Sequence, residues 1–326
     1  MRRAPQAVQG GAAILTAMLT VVLVASLASA TLWQQWRGVE VEAAERSRTQ
    51  SAWVLVGALD WARLILREDA RKGGADHLAE PWAVPLAQAR LSTFLAADRS
   101  DALAAEETQA AFLSGQIVDL QSRLNVTNLV VDGQPDPIAQ VAFKRLFQAL
   151  NLPETELQAM TLLLGRAQRV GSAAATSTAN DVNVSLWPQT IDQLGWVGLS
   201  PTTLVQLRPF ITLLPARTPV NLNTAPAEVI FASVQGLELA DANRLVQVRT
   251  TKHFSSLAEA SDALGKAAVV FNDSLHSVSS RFFEVQGTLR LDQMEVHEQS
   301  LVQRDGMEVK TLWRQRGVAT ATAPLQ

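Results

Sequence analysis

A long uncharged, apolar run near the N-terminus is the feature that most restricts how this chain can fold. No charged residue occurs from Gly10 to Trp36, and Ala, Ile, Leu, Val and Met predominate over residues 12–32. An α-helix needs about 20 such residues to cross the hydrocarbon core of a bilayer. Arg2 and Arg3 precede the run, so the positive-inside tendency predicts a cytoplasmic N-terminus and an exported remainder. Residues 12–33 are therefore predicted to form a single transmembrane helix.

Three interpretations of this run differ in where the chain would be cut. In a secretory signal, the small residues Ala28-Ser29-Ala30 would form the cleavage site, whereas an uncleaved anchor needs no site. The glycine pair before the apolar run favours a third interpretation. Peptidases of the prepilin class cut on the cytoplasmic side, here between Gly11 and Ala12, and leave the apolar segment on the mature protein. Residues 1–11 would then be a leader.

The sequence after the apolar run favours a helix that continues beyond the membrane. Apolar side chains recur at three- and four-residue spacing at Ala52, Leu55, Leu59, Ala62 and Leu66. This spacing predicts an amphipathic helix over residues 34–72. Lys72 is followed by Gly73-Gly74, which should end the helix. A cleaved signal has no need of such a continuation.

The rest of the chain divides by the period of its apolar residues. Residues 73–135 form the first part of a head: they begin with a proline-containing loop and then alternate over Gln116–Leu120 and Leu124–Val131, which predicts strands. Residues 136–275 are predicted to be helical, and residues 276–326 alternate again around the hairpin turn Asp305-Gly306. We therefore predict an α+β fold. An antiparallel sheet packs on the long N-terminal helix and is interrupted by a large α-helical insertion domain.

The composition gives little support to an enzyme. The chain has no cysteine, and its 28 Lys plus Arg against 31 Asp plus Glu leave a net charge of −3 without a broad basic surface. The histidines are far apart in the sequence and are predicted to be surface or capping residues rather than metal ligands: His77, His253, His276 and His297. We therefore predict no enzyme activity, no cofactor and no nucleic-acid partner.

One segment keeps an alternative function open. Residues 219–264 predict a strand-like entry and helices joined at Gly236, which looks like the helix-hairpin-helix proteins that grip DNA backbones. In this segment Glu238 stands in place of the second glycine, and few basic residues are nearby: Arg244, Arg249 and Lys252. We therefore interpret the segment as a structural module. A membrane-anchored DNA-binding or DNA-uptake protein is the alternative.

Six fragments, in order, resemble general secretion pathway protein K, the large minor pseudopilin of type II secretion systems. The fragments are QGGAAILTAML, QSAWVLVGALDWA, DHLAEPWAVP, IVDLQSRLNVTNL, LLPARTPVNLNTAPAEVIFAS and RFFEVQG. The resemblance covers almost the full length and implies a pilin-like α/β head. It also implies cleavage by the prepilin peptidase between Gly11 and Ala12, with N-methylation of Ala12. The protein would lie in the bacterial inner membrane, span it once and hold its head in the periplasm.

The resemblance also implies partners and a position in a fibre. Members of the family are thought to assemble with minor pseudopilins I and J, and with other pseudopilins, at the tip of a pseudopilus above the inner-membrane platform. They help to start a fibre that drives folded proteins through the outer membrane. Most pilin-like subunits carry glutamate as the fifth mature residue, but protein K members lack it, and here the residue is Thr16.

Calcium binding is the one cofactor that the resemblance raises. Some members of the family bind calcium at an acid-rich segment of the insertion. In the corresponding residues 162–196 of this chain the only acids are Asp181 and Asp192. We therefore assign no calcium ligands.

Overall fold

The computed structural model describes residues 10–91, 111–172, 186–265, 271–291 and 294–317 of the 326-residue chain. The helices are α1 (Gly10–Lys72), α2 (Pro137–Ala149), α3 (Glu154–Ser172), α4 (Pro201–Leu207), α5 (Ala227–Ser233), α6 (Leu239–Thr251) and α7 (Leu257–Leu264). The main strands are β1 (Leu86–Arg90), β2 (Ala111–Asp119), β3 (Phe282–Leu291), β4 (Met294–Asp305) and β5 (Glu308–Gly317). The chain divides into two compact units, one ending at Val56 and the other beginning at Gly57.

Helix α1 ends where the sequence predicts. Its last residue is Lys72, and Gly73 and Gly74 follow with φ angles of 67° and 117°. Glycine adopts these left-handed angles without the steric cost that a side chain would bring, so the pair reverses the chain at this point.

The five main strands form one antiparallel sheet in the order β1-β2-β3-β4-β5. Strands β4 and β5 are joined by a two-residue turn, with Asp305 opposite Glu308 and Gly306 at a φ of 57°. The structure contains the predicted hairpin, but its two loop residues are Gly306 and Met307, one residue later than the predicted Asp305-Gly306. The α+β architecture with a long apolar N-terminal helix and an antiparallel sheet is confirmed as well.

The last turns of α1 pack on one face of the sheet. Leu59, Ala62 and Leu66 are buried and form a cluster with side chains of the sheet and of the loop after α1: Trp82, Phe283, Val285, Val302 and Val309. The helix side chains return to this face every three or four residues, and strand side chains return every second residue. Leu66 and Phe283 are both fully buried in this cluster.

A second core lies among helices α2 to α7. Phe143, Phe147 and Met160 are fully buried there. The same core contains four side chains from the segment between β2 and α2, namely Leu124, Val126, Leu129 and Val130. These residues precede the boundary that the sequence suggested at residue 136. That boundary stays a prediction.

Two predictions for the head were wrong. The segment after α1 was predicted to be a loop, but Leu86–Arg90 is a strand that pairs with β2. The alternation over Leu124–Val131 does not give a strand of the main sheet. Leu124–Asn125 pairs in parallel with Ile211–Thr212, a 3-10 helix follows over Val126–Leu129, and Val130–Val131 pairs with Gln134–Pro135. In this irregular segment the apolar side chains are the ones that enter the helical core, and this produces the alternation in the sequence.

Short helices occur between residues 190 and 264, as predicted, but the one that begins at Pro201 ends at Leu207, and Ile211–Thr212 is extended rather than helical. Ser256 caps α7 by accepting a hydrogen bond from the Glu259 amide at 3.3 Å, as its spacing predicts. Of the two acids considered for calcium, Asp181 lies outside the described residues.

Candidate functional site

The N-terminal part of α1 is an apolar helix with exposed side chains. It contains an 18-residue window with a mean hydropathy of 2.2, and none of that window is buried. Leu15 and Val22 are 69% and 67% exposed. By its length and composition, this helix is sufficient to cross a membrane. In water it would leave a large apolar surface exposed, which soluble monomers avoid.

The predicted processing site lies at the start of this helix. Gly11 and Ala12 are in its first turn. The hydroxyl of Thr16 donates to the carbonyl oxygens of Ala12 at 3.0 Å and Ala13 at 2.9 Å, so it is satisfied within its own helix. Thr16 therefore offers no charge to a neighbouring amino group. Cleavage after Gly11 and methylation of Ala12 stay predictions.

Buried charges meet where α1 ends beside the sheet. We call Asp69, Asp76, Glu80, Asp119 and Arg304 the acidic junction. The Arg304 guanidinium donates through Nη1 to Asp69 at 2.7 Å and through Nη2 to both oxygens of Asp76, at 2.5 and 2.6 Å. Burial raises the pKa of the Asp76 carboxyl, and the charge of Arg304 opposes that rise. A charge buried in this way requires its partner.

Asp119 connects the sheet to the helical segment, the part of the chain that contains helices α2 to α7. Its Oδ2 accepts hydrogen bonds from Asn221 at 3.1 Å, from Thr224 at 2.6 Å and from Ser280 at 2.6 Å. Burial raises the pKa of Asp119, and these hydrogen bonds oppose the rise. Because Asp119 ends β2 while Asn221 and Thr224 precede α5, the network fixes the position of the helical segment on the sheet.

Glu80 is a half-buried carboxyl of the junction with a strongly raised pKa. It accepts hydrogen bonds from the His77 backbone amide at 2.9 Å and from Nε1 of Trp82 at 2.8 Å. Burial raises the pKa of Glu80 to about 7, those hydrogen bonds lower it, and Asp69 raises it further. A small change in pH near 7 therefore changes the charge beside Asp69.

Two histidines that are distant in the sequence are stacked beside the junction. The rings of His77 and His253 have centroids 3.8 Å apart and an interplanar angle of 12°. Burial lowers the pKa of His77, and His253 lowers it further. Of the predicted surface or capping roles, the surface position was wrong for His276, which is only 3% exposed, but its Nδ1 accepts a hydrogen bond from the Asn272 amide at 3.2 Å. Burial lowers the pKa of His276 to about 4.

Three carboxyl groups of the junction have the spacing of a metal site, but two of them are already paired with Arg304. One oxygen each of Asp69, Asp76 and Glu80 lies within 4.8 Å of the others. Arg304 supplies the compensating charge to the two aspartates, so the arrangement fits a structural ion-pair network better than a cation site. The sequence does not predict this network, because its charged residues come from distant segments that share no motif.

The helical segment has few basic side chains near Gly236 that are available to bind a DNA backbone. Gly236 has a φ of 80°, as a tight link requires. However, the Arg249 guanidinium donates to the Leu222 carbonyl at 2.5 Å, and burial lowers the pKa of Arg249 to about 10. Lys252 is paired with Glu259. Two of the three basic residues near the link, Arg249 and Lys252, are therefore engaged in contacts within the protein. This argues against the DNA-binding alternative.

Comparison with known proteins identifies the family. Two family models described as type II secretion system (T2SS), protein K match residues 122–216 and 220–279. The type II secretion system protein K of Pseudomonas aeruginosa is 23% identical over 328 residues, which cover 95% of this chain and 93% of that protein. The chain belongs to the protein K family of type II secretion. The two family-model matches lie between residues 122 and 279, that is, between strands β2 and β3.

A solved structure supports the same fold for this protein K family member. It comes from the crystal structure of the GspK-GspI-GspJ complex of the enterotoxigenic Escherichia coli type 2 secretion system. The similarity has a TM-score of 0.63 at 20% identity and covers 85% of this chain and 99% of that one. The fold over the aligned part of this chain is therefore similar to that of a solved chain.

Proposed function

We propose that this protein K family member is a minor pseudopilin at the tip of a pseudopilus, where it starts the fibre and supports export of folded proteins across the outer membrane. The observation that carries the proposal is the exposed apolar helix that continues unbroken to Lys72, in a chain of this family. Such a helix is removed from water either in a bilayer or among the helices of a fibre.

Thr16 supports the position at the tip. A carboxylate at this depth in a membrane is costly unless it is paired, and in shaft subunits it is thought to pair with the amino group of a neighbouring subunit. Thr16 has no charge and satisfies its hydroxyl on Ala12 and Ala13. A subunit without that acid is better suited to begin a fibre than to repeat along it.

The partners follow from the family. The solved relative is named as a complex with GspI and GspJ. We propose that the corresponding minor pseudopilins I and J of its own system bind this chain. We also propose that the prepilin peptidase processes it and that the inner-membrane platform assembles it. It would act as a structural component of secretion and not as an enzyme.

The proposed topology has one membrane span. Arg2 and Arg3 hold the N-terminus in the cytoplasm, residues 12–33 cross the inner membrane, and the head lies in the periplasm. Single-pass anchoring is supported by the apolar stretch of α1.

The mass of the mature N-terminus tests the proposal. We expect a methylated chain that begins at Ala12, and a chain that begins at Thr31 would overturn the proposal in favour of a secretory signal. Gly11→Leu should leave the leader attached, because a bulky side chain replaces the small residue at the cut. Gly10→Ala is the matched control and should be processed normally.

The frequency of fibres tests the role at the tip. Cells that lack the chain should form fewer pseudopili of ordinary thickness, since initiation and not elongation is impaired. Equal fibre numbers with and without the chain would contradict the role in initiation.

A further inference from the structure

Strand β5 is an open edge of the main sheet. It pairs with β4 on one side, and no other strand among the described residues pairs with its second side. Every residue from Lys310 to Gly317 is exposed. An edge of this length presents a row of backbone donors and acceptors to any extended chain that approaches it.

The turn at Asp305 determines which backbone groups point outward. Asp305 and Glu308 close a two-residue hairpin and so form a hydrogen-bonded pair, which makes the next pair, Arg304 and Val309, a non-hydrogen-bonded one. The Val309 carbonyl indeed points away from β4, because Arg63 of α1 donates to it from Nε at 3.1 Å and from Nη2 at 2.8 Å. Arg63 thus occupies the first outward acceptor of the edge.

The same alternation identifies the outward groups that follow. Thr311 lies opposite Val302, and after a register shift, Arg314 and Arg316 lie opposite Ser300 and Glu298. These are again non-hydrogen-bonded pairs, so the amides and carbonyls of Thr311, Arg314 and Arg316 face away from the sheet. They supply the hydrogen bonds that an added strand would use.

The charges on this edge determine which kind of strand can pair with β5. Lys310, Arg314 and Arg316 are cationic, and no acid occurs from Val309 to Gly317. Glu298 is buried and pairs with Arg316 at 2.7 Å and with Arg314 at 3.8 Å, and Lys310 pairs with Glu308 at 3.0 Å. The three cations thus share two carboxylates, which leaves this edge with a net positive charge. In antiparallel registers centred on Leu312 or Trp313, a second copy of β5 would place Lys310 opposite Arg314 or Arg316. Like charges directly opposite each other disfavour such self-pairing.

We infer that the outer edge of β5 binds an extended, acidic segment from the head of another pseudopilin by β-strand addition. The inference rests on the proposed function, since it names the surface through which this subunit meets a partner. Backbone pairing at Thr311, Arg314 and Arg316 provides affinity. Leu312 and Trp313, which are 40% and 38% exposed, provide apolar contact, and the cations select an acidic strand over a copy of β5.

Backbone amide exchange tests the inference. The full chain in detergent is mixed in turn with each of the other pseudopilins of its own secretion system, and complexes are isolated by size. In at least one complex we expect the amides of Thr311, Arg314 and Arg316 to exchange about tenfold more slowly than in the free chain, or slower still. Protection already present in the free chain would overturn the inference, because the edge would then be filled without a partner.

The remaining outcomes separate the inference from the proposed function. A complex in which these three amides exchange at the free rate overturns the inference and leaves the proposed function intact. Absence of a complex with every pseudopilin overturns both.

Two pairs of variants sharpen the test. Thr311→Pro removes an outward amide without removing a hydrogen bond to β4, and we expect about tenfold weaker binding. Thr311→Val keeps that amide and should bind like the unmodified chain.

If Thr311→Pro does not fold, the second pair of variants provides the test. Arg314→Glu should weaken binding by about tenfold, and Arg314→Gln by less. Unchanged binding by folded Thr311→Pro or Arg314→Glu would overturn the inference.

Discussion

Arg304 donates through a single nitrogen to both carboxylate oxygens of Asp76, at 2.5 and 2.6 Å, across 228 residues of sequence. The two residues are 8% and 3% exposed. Arg304 belongs to β4, whereas Asp76 follows α1, so the pair connects the end of the long helix to the sheet. The same guanidinium donates to the Ser280 carbonyl at 2.9 Å, which extends the connection toward β3.

Removal of Arg304 should destabilise the head strongly. We expect Arg304→Met to lower the free energy of unfolding by about 3–5 kcal/mol, because it leaves Asp69 and Asp76 buried without their partner. Arg281→Met is the matched control. Its pair with Asp305 is exposed, and its loss should cost about 1 kcal/mol or less. Urea unfolding of the full chain in detergent measures both, and equal losses would show that Arg304 is not specially required.

Glu80 should give the head a pH-dependent stability. Its pKa is raised to about 7 in the folded chain from an ordinary value of 4.5. The folded state therefore holds a proton that the unfolded state releases, so this contribution to stability is present below pH 4.5 and is lost as the pH rises through 7. Glu80→Gln is neutral at every pH and lacks this dependence.

The stability difference between the two proteins is the measurement that checks this. From pH 5 to pH 8, Glu80→Gln should gain stability relative to the unmodified chain, as judged by urea midpoints. Asp262→Asn, which removes an exposed acid from α7, should show no comparable trend. A difference for Glu80→Gln that stays constant with pH would contradict the raised pKa.

Leu66 should contribute more to stability than its neighbour Leu64. Leu66 is fully buried between α1 and the sheet, whereas Leu64 is 42% exposed. We expect Leu66→Ala to cost about 2–5 kcal/mol because it removes apolar contacts and leaves a cavity. Leu64→Ala, the same chemical change on the same helix, should cost about 1 kcal/mol or less. Similar unfolding midpoints for the two variants would contradict this packing.

The sequence predicts the parts of this fold that depend on local signals. The end of α1 at Lys72 follows from Gly73, and the β4–β5 turn follows from Gly306, because glycine adopts the required positive φ angles without steric cost. The apolar spacing of Leu59, Ala62 and Leu66 likewise gives the face of α1 that packs on the sheet.

Parts that depend on distant contacts were not predicted. The alternation over Leu124–Val131 predicts a strand, yet strand pairing with Ile211–Thr212 stops after Asn125 and a 3-10 helix follows. The Asn125 side chain donates to the Ala216 carbonyl at 2.7 Å and accepts from the Leu214 amide at 3.2 Å, which are contacts with a distant segment. The His77–His253 stack and the Arg304–Asp76 pair have no spacing signal. Only the folded chain brings their segments together.

Thr16→Glu tests why the chain would occupy the tip. The variant places a carboxylate in the apolar part of α1, where an unpaired charge costs about 2.5–3.5 kcal/mol at the centre of a membrane and less near its edge. Pairing with the amino group of a neighbouring subunit would offset that cost. If the missing acid restricts the chain to the tip, the Thr16→Glu chain should also occur along the shaft, as seen by immunogold labelling of fibres. Thr16→Gln, which has the same length but no charge, should stay at the ends. Labelling of Thr16→Glu at the ends alone would instead assign the restriction to the bulky head.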